Sequence, residues 1–356
     1  MRVATPSEVI DSALQEALGG MKLSQQQQAA ALTLQRRLEL TPAETVRLLL
    51  SHPHVLDYSY NCNLEATLDL LQAMLGLSHA ELAKMMRACP FLLSLSKSDV
   101  LIERVDELRD LFHIDALELG RIVVRFPRLL TLNVERKVRP TALALREVLR
   151  LEEEDLNKLI HKHPQVLSLH VEKNVQPTLA VLRKLMELDH AQLRMLVLKL
   201  PQALGLSAET NLRPKLCFLA DSLSLSPSEL REAVMRDPLV LGSSLNKSLR
   251  PNVDAWHEEL CEHPAGDLKK FAEKYGLRWL TASYERRTQP RLERLRQVGI
   301  DAIELIPRIR MKDEDFEKWI DEQELAAELA RFRQELLSNS IPPTGSETRQ
   351  QARDRQ

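Results

Sequence analysis

The sequence predicts an all-α helical-repeat solenoid. Three observations predict it: prolines recur at a fixed period, apolar columns recur in register with them, and helix-start signals recur at a fixed distance before them. Pro53, Pro90, Pro127, Pro164, Pro201 and Pro238 stand 37 residues apart at every step. Self-similarity at a single period of this size is what stacked supersecondary units produce. Ten glycines in 356 residues are too few for the tight turns and phosphate-cradling loops of an α/β enzyme.

The first element of each repeat is a short helix. Thr41, Ser78, Asp115, Glu152, Asp189 and Ser226 stand twelve residues before the anchor proline. Glu44, Glu81, Glu118, Asp155, Gln192 and Glu229 follow three residues later. That spacing is a capping box, in which the polar side chain takes one free amide and the acid reaches back to another. Pro42 and Pro227 occupy the first helical position, where no amide hydrogen is needed. The anchor proline ends this helix, because its ring cannot continue one. A short stretch follows, such as Pro164-Gln165-Val166-Leu167-Ser168-Leu169. It suits a tight 3₁₀ turn.

The last element is a longer helix. A second cap column, Ser59, Ser96, Asn133, His170, Ser207 and Ser244, opens it, and it ends near Leu75, Phe112, Leu149, Met186 and Leu223. Pro140, Pro177, Pro214 and Pro251 fall inside it. Either the helix bends at that proline or it begins nearer to it. Apolar columns run through all three elements. They are Leu49, Met86, Val123, Ile160, Val197 and Val234; Leu56, Leu93, Leu130, Leu167, Leu204 and Leu241; and Leu71, Leu108, Leu145, Leu182, Leu219 and Trp256. Within each repeat the apolar positions fall at three- and four-residue steps, the helix period.

The period weakens at the ends, as it must where a solenoid caps its core. Leu277 takes the anchor place in a seventh unit, with Pro290 thirteen residues on, and an eighth partial unit runs to about Ile320. The expected organisation is a lead-in over 1–28, part helical and part disordered, and a repeat domain over 29–320. A terminal helix over 321–337 and a disordered tail over 338–356 follow.

Charge is uneven along the chain. Net charge is −2 overall, but residues 121–215 carry 17 basic and 10 acidic side chains, against 10 and 16 in residues 1–120. The middle is the stretch whose sign suits a polyanion. Stacking turns a recurring residue into a stripe, so three basic columns matter. Two residues before the anchor stand Arg125, Lys162, Lys199 and Arg236. Nine after it stand Arg136, Lys173, Lys247 and, in the seventh unit, Arg286, with Lys137 and Arg287 beside them. Twelve after it stand Arg139, Arg213 and Arg250. A phosphate track is one reading. For the first column, support of the helix dipole in the last turn is an equal one. The other two columns lack that explanation, since a cation near a helix N-terminus is mildly unfavourable. Arg47, Lys84, Arg121 and Lys158 stand three residues after the capping acid and suit surface ion pairs. Arg278, Arg286, Arg287, Arg291, Arg294 and Arg296 add a C-terminal arginine cluster. Aromatic residues are only 4% of the chain. That disfavours a base-stacking platform, with Trp279 and Tyr284 as local exceptions.

Other chemistry is sparse. No glycine-rich phosphate loop or nucleophile elbow is present, so no enzyme and no cofactor are expected. His257, Cys261 and His263 have loose metal-like spacing, but nothing else converges on them and no metal site is expected. Cys62, Cys89, Cys217 and Cys261 are scattered, which suits a reducing compartment. No apolar run reaches membrane-span length. Glu8, Asp11 and Glu16 lie where a basic transit peptide avoids acids, so a leader is expected to be absent or atypical.

The pattern Pro-x-x-Leu-x-Leu, followed by a proline-bearing helix such as Pro177-Thr178-Leu179-Ala180-Val181-Leu182-Arg183-Lys184-Leu185-Met186, resembles the repeat of the mitochondrial transcription termination factor (mTERF) family. The stretch from Pro290-Arg291-Leu292 through Gly299-Ile300 to Lys312-Asp313-Glu314-Asp315-Phe316 is similar to that family's ending. The resemblance spans roughly residues 30–320. It implies a right-handed-type solenoid, a half-doughnut superhelix of helical triplets. It also implies a mitochondrial or chloroplast protein that binds duplex DNA, or RNA as the second candidate, in transcription, including its termination, or in organellar RNA metabolism. The residues expected to touch nucleic acid are Arg125, Arg136, Lys137, Arg139, Lys162, Lys173, Lys199, Arg213, Lys247, Arg250, Arg286, Arg287 and Arg291. A monomer is expected. The competing class is a protein-binding helical scaffold, which the near-neutral net charge keeps open.

Overall fold

The computed structural model describes residues 12–13, 24–51, 64–94, 98–261, 263 and 267–339. No strand occurs among them, and the chain is an all-α helical-repeat solenoid. It divides into two compact units, Met1–Cys217 and Phe218–Gln356, with the division falling inside the helix Arg213–Ser222.

The short helices of the first unit are Pro42–Ser51, His79–Ala88, Ala116–Arg125, Glu153–Lys162 and His190–Lys199. The capping box forms as the spacing predicts at Thr41–Glu44, Ser78–Glu81, Asp115–Glu118 and Asp189–Gln192. It forms again at Ser226–Glu229, where Pro227–Arg236 begins in the second unit. At Glu152 it fails, for no side chain caps Glu153–Lys162. A glutamate side chain is one methylene too long for the tight ring that Ser, Thr, Asp and Asn close. Ser24 and Gln27 make a further capping box at the start of Gln25–Arg37. That helix crosses the expected boundary at residue 28.

Each anchor proline opens a 3₁₀ turn, as expected: Pro90–Ser94, Pro127–Thr131, Pro164–Ser168 and Pro201–Gly205 in the first unit, and Pro238–Gly242 in the second. The leucine three residues after the proline is fully enclosed at Leu130, Leu167, Leu204 and Leu241. The long-helix column from Leu71 to Trp256 is equally buried. Pro53, Leu56 and Ser59 lie outside the described residues, as does Ser96.

The second proline is resolved by a change of helix type. The segment opens with one π-turn, Val134–Val138, Val171–Val175, Ala208–Leu212, Leu245–Leu249 or Tyr284–Thr288, and continues as an α-helix with the proline in its first turn. Arg139 N accordingly donates to the Val134 carbonyl, five residues back. A wider turn makes room for a ring that would strike the carbonyl of a regular α-helix. Asn133, Ser207 and Ser244 cap the π-turn as expected. His170 and Ser283 do not.

Most of the long helices end in a left-handed residue, although Arg250–Leu260 ends in Cys261 with φ −63°. Gly76, His113, Arg150, Glu187 and Ser224 all have φ between 49 and 61°. The next residue donates back to the carbonyl of the last turn, as Leu151 N does to Arg146 O at 2.9 Å and Leu188 N to Arg183 O at 3.2 Å. This is the Schellman closure, and the apolar residue that makes it packs over the turn it closes.

The seventh unit departs where its anchor is missing. Leu277 keeps the amide hydrogen that a proline lacks, and it donates this to Asp237 Oδ2 at 2.8 Å. Asp237 is itself buried, one residue before the sixth anchor. Trp256, Phe271 and Trp279 pack around this unit with ring centroids 5.3–5.8 Å apart. Trp279 is therefore core, not a surface for a base. The final helix is continuous from Asp313 to Asn339, so the expected boundaries at 320 and 337 fall inside it. Residues 340–356 of the expected tail lie outside the described residues.

Candidate nucleic-acid interface

The three basic columns have three different fates. The column two residues before the anchor is structural. Arg125 Nη1 donates to His161 O at 2.6 Å, and Lys162 Nζ donates to Leu198 O and Lys199 O at 3.1 Å each. In the second unit Arg236 reaches Glu273 O and Lys274 O at 3.0 and 3.1 Å. The acceptors are the last carbonyls of the short helix in the following repeat. Each cation therefore serves a helix dipole one repeat ahead of its own. Lys199 holds the corresponding last-turn position. Lys137 belongs with this group, since its ammonium donates to Leu169 O at 2.8 Å across the repeat interface.

The column twelve residues after the anchor is engaged at the surface. Arg139 pairs with Glu135 at 2.9 Å and Arg213 with Glu209 at 2.6 Å, both at four-residue spacing. Arg250 lies over the Phe218 ring, 4.8 Å from its centroid. Exposed pairs of this kind are worth only a few tenths of a kcal/mol, so a phosphate competes with them readily. The glutamates Glu135, Glu172, Glu209 and Glu285 form an acidic column directly before the cations at nine, and they hold down the local positive charge.

The column nine residues after the anchor remains open. Arg136, Lys173, Lys247 and Arg286 are all exposed. Among the described residues none of these four side chains has a hydrogen-bond or ion-pair partner. Each sits in the π-turn that starts a long helix. In the first unit Arg136 and Lys173 come from successive repeats and line one surface hollow of about 420 Å³ with Lys137, Thr141 and His170. Arg287, half-buried, occupies the position equivalent to Lys137.

Arg291 is a correction. It is 3% exposed. Its guanidinium donates to Arg308 O, Ile309 O, Met311 O and Asp313 Oδ1 at 2.7–3.1 Å. It ties the 3₁₀ segment Ala302–Arg308 and the start of the final helix to Gln289–Val298, and its burial keeps it from a phosphate backbone. Arg294 and Arg296 pair at the surface with Glu317 and Glu259. Among the described residues no cluster of ligands suits a metal, and His263 meets Asp301 at 3.0 Å instead. No described helix is long and apolar enough to cross a membrane.

One column was missed in the sequence. Fourteen residues after the anchor every repeat carries a polar side chain: Thr67, Arg104, Thr141, Thr178, Lys215, Asn252 and Arg291. All are buried except the half-buried Arg104. Arg104 donates to Leu130 O, in the 3₁₀ turn of the next repeat, and Thr178 to Leu206 O, directly after that turn. In the second unit Asn252 donates to Leu280 O and Ala282 O. The signal was present as a polar residue directly after the second proline, inside an otherwise apolar stretch. Burial pushes the Lys215 ammonium below its ordinary pKa.

The mTERF family profile matches the chain over residues 20–110 and 97–268. A search of curated proteins finds no match.

Proposed function

The chain belongs to the mTERF family, and from that membership we propose that it is a non-catalytic organellar protein that grips a nucleic acid, duplex DNA before RNA, in mitochondria or chloroplasts. Its role is regulation of transcription, termination included, or of organellar RNA metabolism. The observation that carries this reading is the open column of Arg136, Lys173, Lys247 and Arg286. A cation at a helix N-terminus adds to the positive end of the dipole, an arrangement that an anion between them relieves. Within each unit two such positions from successive repeats suit a phosphate backbone, whose contacts position a protein without reading sequence. Arg139, Arg213 and Arg250 stand one turn further along and can join by releasing their weak local partners.

The test is duplex DNA binding measured across a salt series. Binding should weaken steeply with salt, because each neutralised phosphate releases counterions. The double variant Arg136→Glu with Lys173→Glu should weaken binding alike on all sequences and reduce the log–log salt slope by about 2. No duplex binding even at low salt would remove the reading and favour a protein-binding scaffold.

A further inference from the structure

The final helix, Asp313–Asn339, begins tied to its unit and then leaves it. Phe316 and Ile320 are buried. The Arg291 guanidinium lies 4.5 Å from the Phe316 ring centroid, and that of Arg308 lies 4.1 Å from the Trp319 ring. Arg294 reaches Glu317 and Glu324. Beyond Glu324 the apolar side chains turn outward. Leu325, Leu329, Phe332 and Leu336 are exposed at 58, 53, 58 and 52%. The five-residue step from Ile320 to Leu325 carries the stripe about 140° around the helix, at roughly 100° per residue. Single exposed leucines elsewhere, such as Leu117 and Leu143, are ordinary. A continuous stripe on one helix is not, and it marks an interaction surface.

The stripe advances by four, three and four residues, the spacing of a coiled-coil seam. We infer that it pairs with the same stripe of a second copy of this chain, as a parallel two-stranded coiled coil. Leu325 and Phe332 then take the d positions and Leu329 and Leu336 the a positions. Glu328 becomes a g residue and Arg333 the e residue of the next heptad. In a parallel pair each g faces the e five residues further on in the opposite strand. Glu328 of one copy therefore meets Arg333 of the other, twice by symmetry. In an antiparallel pair g meets g and e meets e, so Glu328 faces a glutamate of the other strand and never Arg333. Among the described residues neither Glu328 nor Arg333 has an ion-pair partner within its own chain, so both charges are available. The seam is short, smaller than a standard interface of roughly 800 Å² per partner. The dimer is therefore weak and concentration-dependent.

Sedimentation velocity on the full chain tests this. The dimer fraction should rise between about 1 and 100 µM, the range in which a small interface dissociates. Leu329→Glu with Phe332→Glu should leave a monomer throughout, with unchanged helical circular dichroism because both side chains are already in solvent. At low salt Glu328→Arg alone and Arg333→Glu alone should each weaken association by about tenfold, by setting like charges together. The two reversals combined should restore it. A chain that stays monomeric over the whole range overturns the inference, whatever other protein the stripe then binds. So does a dimer that survives Leu329→Glu with Phe332→Glu. Failure of the combined reversal to restore association overturns the parallel pairing.

Discussion

At the scale of single residues the repeat is held by backbone fit and by polar groups inside the core. Gly120 shows the first. A Cβ built there would stand 2.4 Å from the Leu75 carbonyl oxygen, and that backbone has no room to retreat. Gly120→Ala should lower stability by about 1–3 kcal/mol, the usual cost of overpacking, read as a lower midpoint in urea. Asp237 shows the second. Asp237→Ala leaves the Leu277 amide buried without an acceptor and should cost about 1–3 kcal/mol. Asp237→Asn keeps an acceptor oxygen and should recover part of that loss. If the two variants melt alike, the bond to Leu277 is not the reason for the acid. Neither residue was legible beforehand. Gly120 sits in a helix with no turn to explain it, and Asp237 matters only because its acceptor role answers a proline missing forty residues later. Arg291 was misread for a related reason. From sequence, a buried arginine that serves carbonyls looks the same as an exposed one that serves phosphates.

At the scale of elements the sequence was most informative where the chemistry is local. The capping boxes, the 3₁₀ turns and the three apolar columns all follow from spacing within one repeat, and among the described residues they stand where the spacing put them, the box at Glu152 excepted. The capping acids also carry a pH dependence. Glu229 is lowered from its ordinary 4.5 to about 2, first by the Lys269 ammonium at 2.9 Å and then by Ser226. Glu44 and Glu81 are lowered by their own capping partners, Thr41 and Ser78. A depressed folded-state pKa gives stability that is present above the unfolded value and lost as pH falls through the folded one. The melting temperature should therefore decline from about pH 4.5 toward pH 2, and Glu229→Gln should make that decline shallower. An identical acid profile in the variant would show that the Glu229 contacts do not persist in solution. Where a bond crosses to the next repeat, spacing alone was silent. The carbonyls taken by Arg125 and Lys162 belong to this class, and so do the acceptors of the polar column from Thr67 to Arg291, because a neighbour's backbone leaves no mark at the donor's position.

At the scale of the whole chain the basic columns divide by task, and the division can be measured. Arg125→Met with Lys162→Met should lower thermal stability, at about 0.3–1 kcal/mol for each lost dipole contact, and leave duplex affinity nearly unchanged. Arg136→Glu with Lys173→Glu should do the reverse. If both pairs change affinity equally, the column before the anchor also faces the ligand, and its carbonyl bonds are not its main role. The period and the family were readable from prolines and leucines. The partition of cations between scaffold and surface was not, since it depends on which way each side chain leaves a shared helical frame.

Among the described residues most side-chain bonds to a neighbouring repeat's carbonyls run forward along the chain, with Asn157, which donates back to Phe112 O, as an exception. Arg125, Lys162, Arg104 and Thr178 all donate forward, to carbonyls that the ribosome makes later. During synthesis a newly emerged repeat thus holds donors whose acceptors do not yet exist, and it is completed only when the next has followed it out. Loss of the last repeat would strand donors that water can satisfy. Loss of the repeat that carries Arg125 would strip the guard from the carbonyl of His161 in the next, so truncation from the two ends should not be equivalent.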